Sequence, residues 1–297
     1  MPLDPKRKFY NPERETMSRD ELKDFQFKSL QKQIKYMYEN GPFYKERLDE
    51  AGIQPGDIKT WDDFHRIPTM TKDDQRWAQE ESIRRYGHPY GMLTCAPQEK
   101  LVRISATSGT TGMPTLYTLT RHDVNVNREL HARKLWIAGA RPGTRVLHAM
   151  ALSMFTGGIP VLDALQEYGL CIIPVGAEAG VARVLQFIDL CKPHTLVATP
   201  SFAQYIMEKC PEILGKPASE LGLIGVGGGA EPGYGIPAVR DRIAKGFSVG
   251  RPVTESAGLT IFTGTPAARR NTRACTWFPR IIASWKSWTS KPVSLWS

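Results

Sequence analysis

Apolar residues recur at helical intervals in the N-terminal third of the chain. Between residues 18 and 39 they stand at Leu22, Phe25, Leu30, Ile34 and Met37. Ser18 and Glu21 form a capping box at the start of this run, and Gly41-Pro42 ends it. Shorter helical patterns follow at Phe43–Ala51, Thr60–Phe64 and Thr71–Gln79. We therefore predict a loosely held leader over residues 1–16 and a helical segment over residues 17–100.

Strand-type and helix-type patterns alternate after residue 101. The predicted strands are Arg145–Ala151, Leu170–Val175, Thr195–Ala198 and Leu221–Val226. The predicted helices are Asp123–Ala138, Ile159–Tyr168, Ala179–Leu190 and Ser201–Cys210. This alternation is typical of an α/β fold in which helices flank a mostly parallel sheet, and we assign it to a domain at residues 101–255.

Three short segments directly follow predicted strands. They are MFTGG (Met154–Gly158), ATPSF (Ala198–Phe202) and GGAEPG (Gly228–Gly233). Ligands of parallel sheets lie beyond the carboxyl ends of the strands, so these segments are expected to gather at one edge. The pattern predicts a single cleft there.

A loop rich in hydroxyls and glycines separates the helical segment from the predicted sheet. It reads TSGTTGMPT from Thr107 to Thr115. Glycines let the backbone approach a ligand closely, and hydroxyl and amide groups suit a phosphate. The loop matches neither the Walker pattern nor the dinucleotide fingerprint. A surface turn rich in serine, threonine and glycine is the alternative interpretation.

The loop resembles the phosphate loop of the adenylate-forming enzymes, which include the acyl- and aryl-CoA ligases. Its flanks narrow the resemblance to phenylacetate-CoA ligase-type proteins. The similar segments are ETMSRDEL, YENGPFYKERLDEAGI, VRISATSGTTGMPT, MFTGG, ATPSF and GGAEPG, in the family's order. The resemblance covers about residues 13 to 250.

The resemblance implies a two-step reaction that uses ATP, Mg²⁺ and coenzyme A. A carboxylate, phenylacetate-like by family resemblance, attacks the α-phosphorus of ATP, and the coenzyme A thiolate then displaces AMP. It implies that the phosphates are positioned by Thr107, Ser108, Thr110 and Thr111, and that the nucleotide is also held by Gly109, Gly112 and Thr115. Met113 stands where relatives often carry lysine, so one phosphate-neutralising charge is missing.

The resemblance also assigns roles to the segments that follow the strands. Gly229, Ala230, Glu231 and Pro232 correspond to the adenine-binding segment. Phe155, Gly157, Gly158, Pro200 and Ser201 correspond to the acyl pocket. Simpler interpretations stay open, because glycine and proline also mark turns and Ser201 also suits a helix N-cap.

Composition favours a cytoplasmic protein without a membrane partner. The 297 residues are 41% hydrophobic, yet no run of 18 apolar residues and no apolar signal core occurs. The five cysteines are scattered, which indicates reduced thiols. The six histidines show no metal-ligand spacing, so no metal site made of protein side chains is predicted.

The segment at residues 256–297 differs from the rest of the chain. It holds six basic residues and no acidic residue in a chain of net charge +9, together with four of the seven tryptophans. Because the charge is concentrated here, we predict no nucleic-acid partner. Permitted codons for Thr263–Asn271, read in another frame, encode G-Y-S-C-G-E-A-E, which is similar to the family's segment at this point. We hypothesise a frameshift between about Ser248 and Gly264, which makes the basic tail out-of-frame or disordered.

The family carries a Tyr-Gly-x-Ser/Thr-Glu stretch whose glutamate helps to hold Mg²⁺, and then a C-terminal lid domain. Here Gly258-Leu259-Thr260 is followed by Ile261 in place of the glutamate. We therefore predict that the lid domain is lacking and that this chain is inactive or only binds nucleotide. Two alternatives remain: a non-catalytic nucleotide-binding protein or subunit, and an adenylyltransferase that does not use coenzyme A.

Overall fold

The structure is a computed structural model that describes residues 7–107, 113–137, 139–155, 157–249, 254–259 and 262–264. The chain divides into two compact units. Among the described residues, 7–15 and 122–264 form one unit, and Thr16–Arg121 lie in the other. The division falls later than the predicted boundary at residue 100, because a hairpin after that residue packs on the helical unit.

The first described residues are attached to the α/β unit. They include a one-turn helix, α1 (Pro12–Glu15). The Tyr10 ring lies 6.2 Å from that of Trp136 and 5.9 Å from that of Tyr168. Asn11 Nδ2 donates to Glu129 Oε1 at 3.0 Å. The prediction of a loosely held leader is therefore wrong for these residues, because their aromatic and amide side chains fix them to distant parts of the chain.

Four helices begin the helical unit. They are α2 (Arg19–Asn40), α3 (Pro42–Glu50), α4 (Trp61–His65) and α5 (Lys72–Tyr86). The predicted capping box of α2 is present, since Glu21 N donates to Ser18 Oγ at 3.2 Å and Ser18 N donates to Glu21 Oε2 at 2.8 Å. Thr60 and Thr71 are the N-caps of α4 and α5, one residue before each helix begins.

Burial in the helical unit follows the predicted apolar positions. Its main core contains Leu30, Ile34, Leu48, Ile53, Ile58 and Ile67. Phe25 is the exception among the α2 positions, with 37% of its surface exposed. An antiparallel hairpin of β1 (Leu101–Ala106) and β2 (Leu116–Thr120) completes the unit, and the sequence analysis did not predict it.

The α/β unit contains the predicted sheet. Its strands are β3 (Arg145–His148), β4 (Cys171–Pro174), β5 (Thr195–Val197), β6 (Gly225–Gly229), β7 (Thr254–Leu259) and β8 (Phe262–Gly264). The spatial order is β4-β3-β5-β6-β7-β8, with every pair parallel except β7 and β8. The predicted α/β class with a mostly parallel sheet is confirmed.

Helices cover both faces of this sheet. They are α6 (Arg121–Ile137), α7 (Ile159–Glu167), α8 (Gly180–Cys191), α9 (Pro200–Leu214) and α10 (Pro237–Gly246). Successive strand residues point to opposite faces, so Val146 packs with Trp136 and Leu165, whereas Leu147 packs in the core with residues of α8, α9 and α10. Among the described helices, we find none with enough length and hydrophobicity to span a bilayer.

Two predicted elements near the end of the chain differ from the structure. The strand predicted at Leu221–Val226 begins only at Gly225, because Gly222 adopts a left-handed φ of 74° that interrupts the run. Leu221 and Leu223 are nevertheless buried, which explains their apolar character. The segment at 256–297, hypothesised to be out-of-frame or disordered, begins with part of β7 and with β8, and the rest of it lies outside the described residues.

Candidate functional site

Hydrogen bonds between Thr107 and Thr115 close the stem of the hydroxyl-rich loop. Thr107 N donates to Thr115 O at 3.0 Å, and Thr115 N donates to Thr107 Oγ1 at 3.2 Å. The two hydroxyl oxygens lie 3.1 Å apart. Thr115 is fully buried, so its hydroxyl serves the stem of the loop. Ser108, Gly109, Thr110, Thr111 and Gly112 lie outside the described residues, and their predicted roles stay predictions.

One face of α5 supports this loop through three polar side chains. Gln79 Nε2 donates to Pro114 O at 3.0 Å, and Gln79 Oε1 accepts from Leu116 N. Four residues earlier, Gln75 Oε1 accepts from the Tyr117 hydroxyl at 3.0 Å. Both glutamines are buried, which is unusual for this residue type. The sequence analysis missed them, although amide side chains spaced by one helical turn were a usable signal.

The third polar side chain on this face is Lys72, in the first turn of α5. Its ammonium donates to Thr107 Oγ1 at 3.2 Å. Burial, and then the nearby Arg76 guanidinium, lower the pKa of Lys72 from its ordinary value. The ammonium therefore lies at the Thr107 end of the loop. The sequence analysis did not single out Lys72.

The three segments that follow β3, β5 and β6 lie at the carboxyl edge of the sheet, as predicted. His148 ends β3 and is fully buried. Its Nε2 lies 3.0 Å from Gly157 O, and since a carbonyl oxygen accepts, Nε2 carries the proton. Burial lowers the pKa of His148, which keeps the imidazole neutral. His148 thereby holds the segment that the resemblance assigns to the acyl pocket.

Close backbone packing explains one of the glycines in this segment. A Cβ atom at Gly158 would lie 2.2 Å from Ala151 O, so only glycine fits. The Phe155 side chain is 40% exposed, in keeping with a wall that a ligand could cover. Thr156, between them, lies outside the described residues.

Residues 198–202 and 228–234 are bound to each other at the same sheet edge. Ser201 N donates to Glu231 Oε1 at 2.6 Å. Thr199, and not Ser201, is the N-cap of α9, because Thr199 Oγ1 accepts from Phe202 N at 3.3 Å. Pro200 occupies the first helical turn and is buried. The N-cap role proposed for Ser201 is therefore wrong, and Glu231 instead takes the Ser201 amide.

The backbone is left-handed at Ala230, with φ of 76°. This conformation costs a residue with a Cβ atom about 1 kcal/mol or more. Glu231 follows directly, and its hydrogen bond to Ser201 helps to fix the turn. Gly229 and Gly233 are buried, whereas Ala230 and Pro232 are exposed. The turn thus offers exposed backbone and side-chain surface at the sheet edge.

Potential metal ligands occur throughout the described residues. Within them, no group of three or more His, Cys, Asp and Glu side chains could hold a metal ion.

The proteins similar to this chain include CoA ligases. A phenylacetate-coenzyme A ligase of Thermus thermophilus is 35% identical over 240 residues, which are 81% of this chain and 51% of the relative. The Escherichia coli phenylacetate-coenzyme A ligase is 33% identical over 219 residues, or 73% of this chain and 47% of the relative. The chain therefore spans about half the length of the curated relatives that it matches. No protein-family model matches it.

A solved structure resembles the fold over most of the chain. It is 2-hydroxyisobutyryl-CoA ligase in an open conformation, in complex with 2-HIB-AMP and CoA. The TM-score is 0.79 at 29% identity, and the match covers 89% of this chain and 61% of that structure. Over the half of their length that it spans, the chain belongs to the phenylacetate-CoA ligase-type adenylate-forming enzymes.

Proposed function

We propose that this chain carries the acid-activating half of an ATP-dependent acid–thiol ligase. A carboxylate attacks the α-phosphorus of ATP, which gives an acyl adenylate and releases pyrophosphate. In the complete reaction, coenzyme A then displaces AMP to form the thioester. The observation that carries the proposal is the Lys72 ammonium, 3.2 Å from Thr107 Oγ1 at the root of the loop.

Attack by one anion on another depends mainly on positioning and charge neutralisation. Lys72 supplies a positive charge beside a loop that has Met113 where relatives often have lysine. We infer that Lys72, with the amides and hydroxyls of Thr107, Ser108, Gly109, Thr110, Thr111 and Gly112, holds the β- and γ-phosphates. The buried Gln75 and Gln79 fix the strand that follows the loop, so the loop is supported on one side by α5.

The sheet edge of the α/β unit supports the assignment of the other ligand groups. We propose that adenine lies on the turn of Gly229–Pro232, whose surface is exposed at Ala230 and Pro232. The acid, an aryl acid such as phenylacetate, is proposed to lie against Phe155 and the glycines that follow it. Mg²⁺ and coenzyme A enter the proposal through the relatives alone.

ATP–pyrophosphate exchange by the purified chain tests this proposal. The chain is assayed against a panel of aryl, hydroxy and fatty acids, beside a version in which the hypothesised frameshift is restored. Exchange that depends on an aryl acid supports the adenylation half-reaction. Nucleotide binding without exchange in either version favours the non-catalytic alternative. Release of pyrophosphate that does not require a thiol favours an adenylyltransferase that does not use coenzyme A.

A comparison of pyrophosphate exchange by the 297-residue chain and by the frame-restored version also tests the expectation that the 297-residue chain is inactive. Exchange only by the restored version supports both the frameshift hypothesis and the role of the replaced segment. Equal exchange by both versions overturns the expectation. Sequencing of the genomic region that encodes Ser248–Gly264 tests the frameshift independently.

A further inference from the structure

Residues 198–201, which follow β5, contact residues 228–234, at the end of β6, at four points. Besides the bond from Ser201 N to Glu231 Oε1, the Tyr234 hydroxyl donates to Ala198 O at 3.0 Å and is itself buried. A Cβ atom at Gly228 would lie 1.8 Å from Ala198 O. A Cβ atom at Gly233 would lie 2.4 Å from Pro200 Cβ. The two segments therefore pack directly against each other.

We propose that Glu231 is a positioning residue that joins the acid-binding segment to the adenine-binding turn, so that both halves of an acyl adenylate are held in a fixed relation. This inference rests on the proposed function. It assigns the Glu231 carboxylate to the helix α9 amide and not to the adenine base. The turn at Ala230 and the start of α9 then behave as one rigid piece.

The first turn of α9 has a backbone N–H that donates to no acceptor within the helix, and a carboxylate from outside the helix binds it. Thr199 Oγ1 takes the Phe202 amide, and Pro200 has no N–H. The Ser201 amide is the next one that lacks an intrahelical partner, and Glu231 accepts from it at 2.6 Å. A negative charge at this end of a helix is also favoured by the helix dipole. Glu231 therefore completes the cap that Thr199 begins.

Geometry ties this cap to the ligand-binding turn. Glu231 follows Ala230, whose left-handed φ of 76° reverses the chain at the end of β6. Among the described residues, two side-chain hydrogen bonds join the turn to the segment at the start of α9, one made by Glu231 and one by Tyr234. Loss of the Glu231 carboxylate removes the first of them. The position of the turn relative to Pro200 and Ser201 would then be less well defined.

Binding of two ligands by Glu231→Ala and Glu231→Gln tests the proposal. AMP occupies only the adenine turn, whereas an acyl sulfamate analogue of phenylacetyl adenylate occupies the turn and the acid segment together. Calorimetry gives both dissociation constants. Gln keeps an oxygen that accepts from Ser201 N, and Glu208→Ala, an exposed glutamate on α9, is the matched control.

We expect Glu231→Ala to weaken binding of the analogue about tenfold and that of AMP by less than about threefold, since one charge-assisted hydrogen bond is lost. Glu231→Gln and Glu208→Ala are expected to stay within about threefold of the unmodified chain for both ligands. Equal losses for AMP and the analogue would mean that Glu231 contacts the base, and would overturn the proposal. No loss for either ligand would overturn it as well.

Amide hydrogen exchange at Ser201 separates this proposal from the proposed function. If the unmodified chain binds neither ligand, the proposed function fails, but exchange still reports on the cap. Exchange at Ser201 about tenfold faster in Glu231→Ala, with protection kept in Glu231→Gln, supports the positioning role. Unchanged exchange in Glu231→Ala overturns it.

Discussion

Gln79 Oε1 accepts the backbone N–H of Leu116, the first residue of β2, at 2.5 Å. The same amide donates through Nε2 to Pro114 O at 3.0 Å. A single buried side chain of α5 thus takes both a donor and an acceptor from the backbone directly after the hydroxyl-rich loop. This amide, which carries no charge, joins helix α5 to the backbone that follows the loop.

Gln79→Ala is expected to lower the free energy of unfolding by about 2 kcal/mol, because it removes the two hydrogen bonds that the buried Gln79 amide makes with the Leu116 N–H and the Pro114 carbonyl. Denaturant titration measures the change. Glu80→Ala, an exposed neighbour on α5, is the control and should change stability by less than about 0.5 kcal/mol. A loss no larger than that of the control would contradict the role assigned to Gln79.

Lys72→Met is expected to weaken ATP binding about tenfold, since it removes the ammonium beside Thr107. AMP, which lacks the β- and γ-phosphates, should bind nearly as before. Calorimetry with both nucleotides makes the comparison. Lys72→Arg should restore part of the affinity, and Lys28→Met, at an exposed position of α2, should leave it unchanged. An equal loss of AMP and ATP affinity would remove Lys72 from the phosphate site.

Ala230→Gly is expected to raise the free energy of unfolding by about 0.5 kcal/mol. Glycine adopts the left-handed φ of 76° without the clash of a Cβ atom, and this gain exceeds the extra entropy of the unfolded chain. Thermal or denaturant unfolding measures it. The control is Ala244→Gly, inside α10, which should lower stability by about 1 kcal/mol. A loss of stability at both positions would show that the turn is not strained.

Stability is expected to fall as the pH is lowered from 6.5 to 5, in part because of His131. This histidine is buried, and burial, followed by the charge of Lys134, lowers its pKa to about 3. Below the unfolded pKa of about 6.5, the unfolded chain takes up a proton that the folded chain does not, which costs about 1.4 kcal/mol per pH unit. Above that pH the imidazole is neutral in both states and contributes no pH dependence.

His131→Gln should flatten this part of the pH profile, because glutamine does not titrate. Unfolding measured at pH 5, 6 and 7.5 for both chains gives the difference. His65→Gln, at an exposed position of α4, serves as the control for a histidine-to-glutamine substitution. If the free energy of unfolding falls with pH equally in His131→Gln and in the unmodified chain, His131 does not cause the pH dependence.

The sequence predicted the elements whose burial is periodic. Helix α2 and the strand and helix alternation of the α/β unit were identified because their apolar residues follow the period of the element. The hairpin of β1 and β2 was missed because every residue of β2 is only partly buried, so no clear alternation marks it. The strand was predicted to begin too early, at Leu221, because the apolar residues Leu221 and Leu223 are buried although they lie in a loop.

The sequence predicted which segments form the candidate site, but not the tertiary hydrogen bonds that join them. Glycine, hydroxyl and proline patterns identified the loop and the segments that follow the strands. Lys72, Gln79 and His148 were not assigned to the site, because each acts through a tertiary contact with backbone or side-chain atoms distant in sequence. The roles of Glu231 and Ser201 in one hydrogen bond could not be read from the sequence for the same reason.

The attachment of the first described residues to the α/β unit has a consequence for synthesis of the chain. Trp136 Nε1 donates to Lys8 O across 128 residues of sequence. A ribosome adds about 5 to 20 residues each second, so roughly 6 to 25 s pass between the appearance of these two partners. Throughout that interval Tyr10 lacks its partners Trp136 and Tyr168, while the helical unit is synthesised. The nascent chain thus keeps an aromatic segment accessible to chaperones until the sheet emerges.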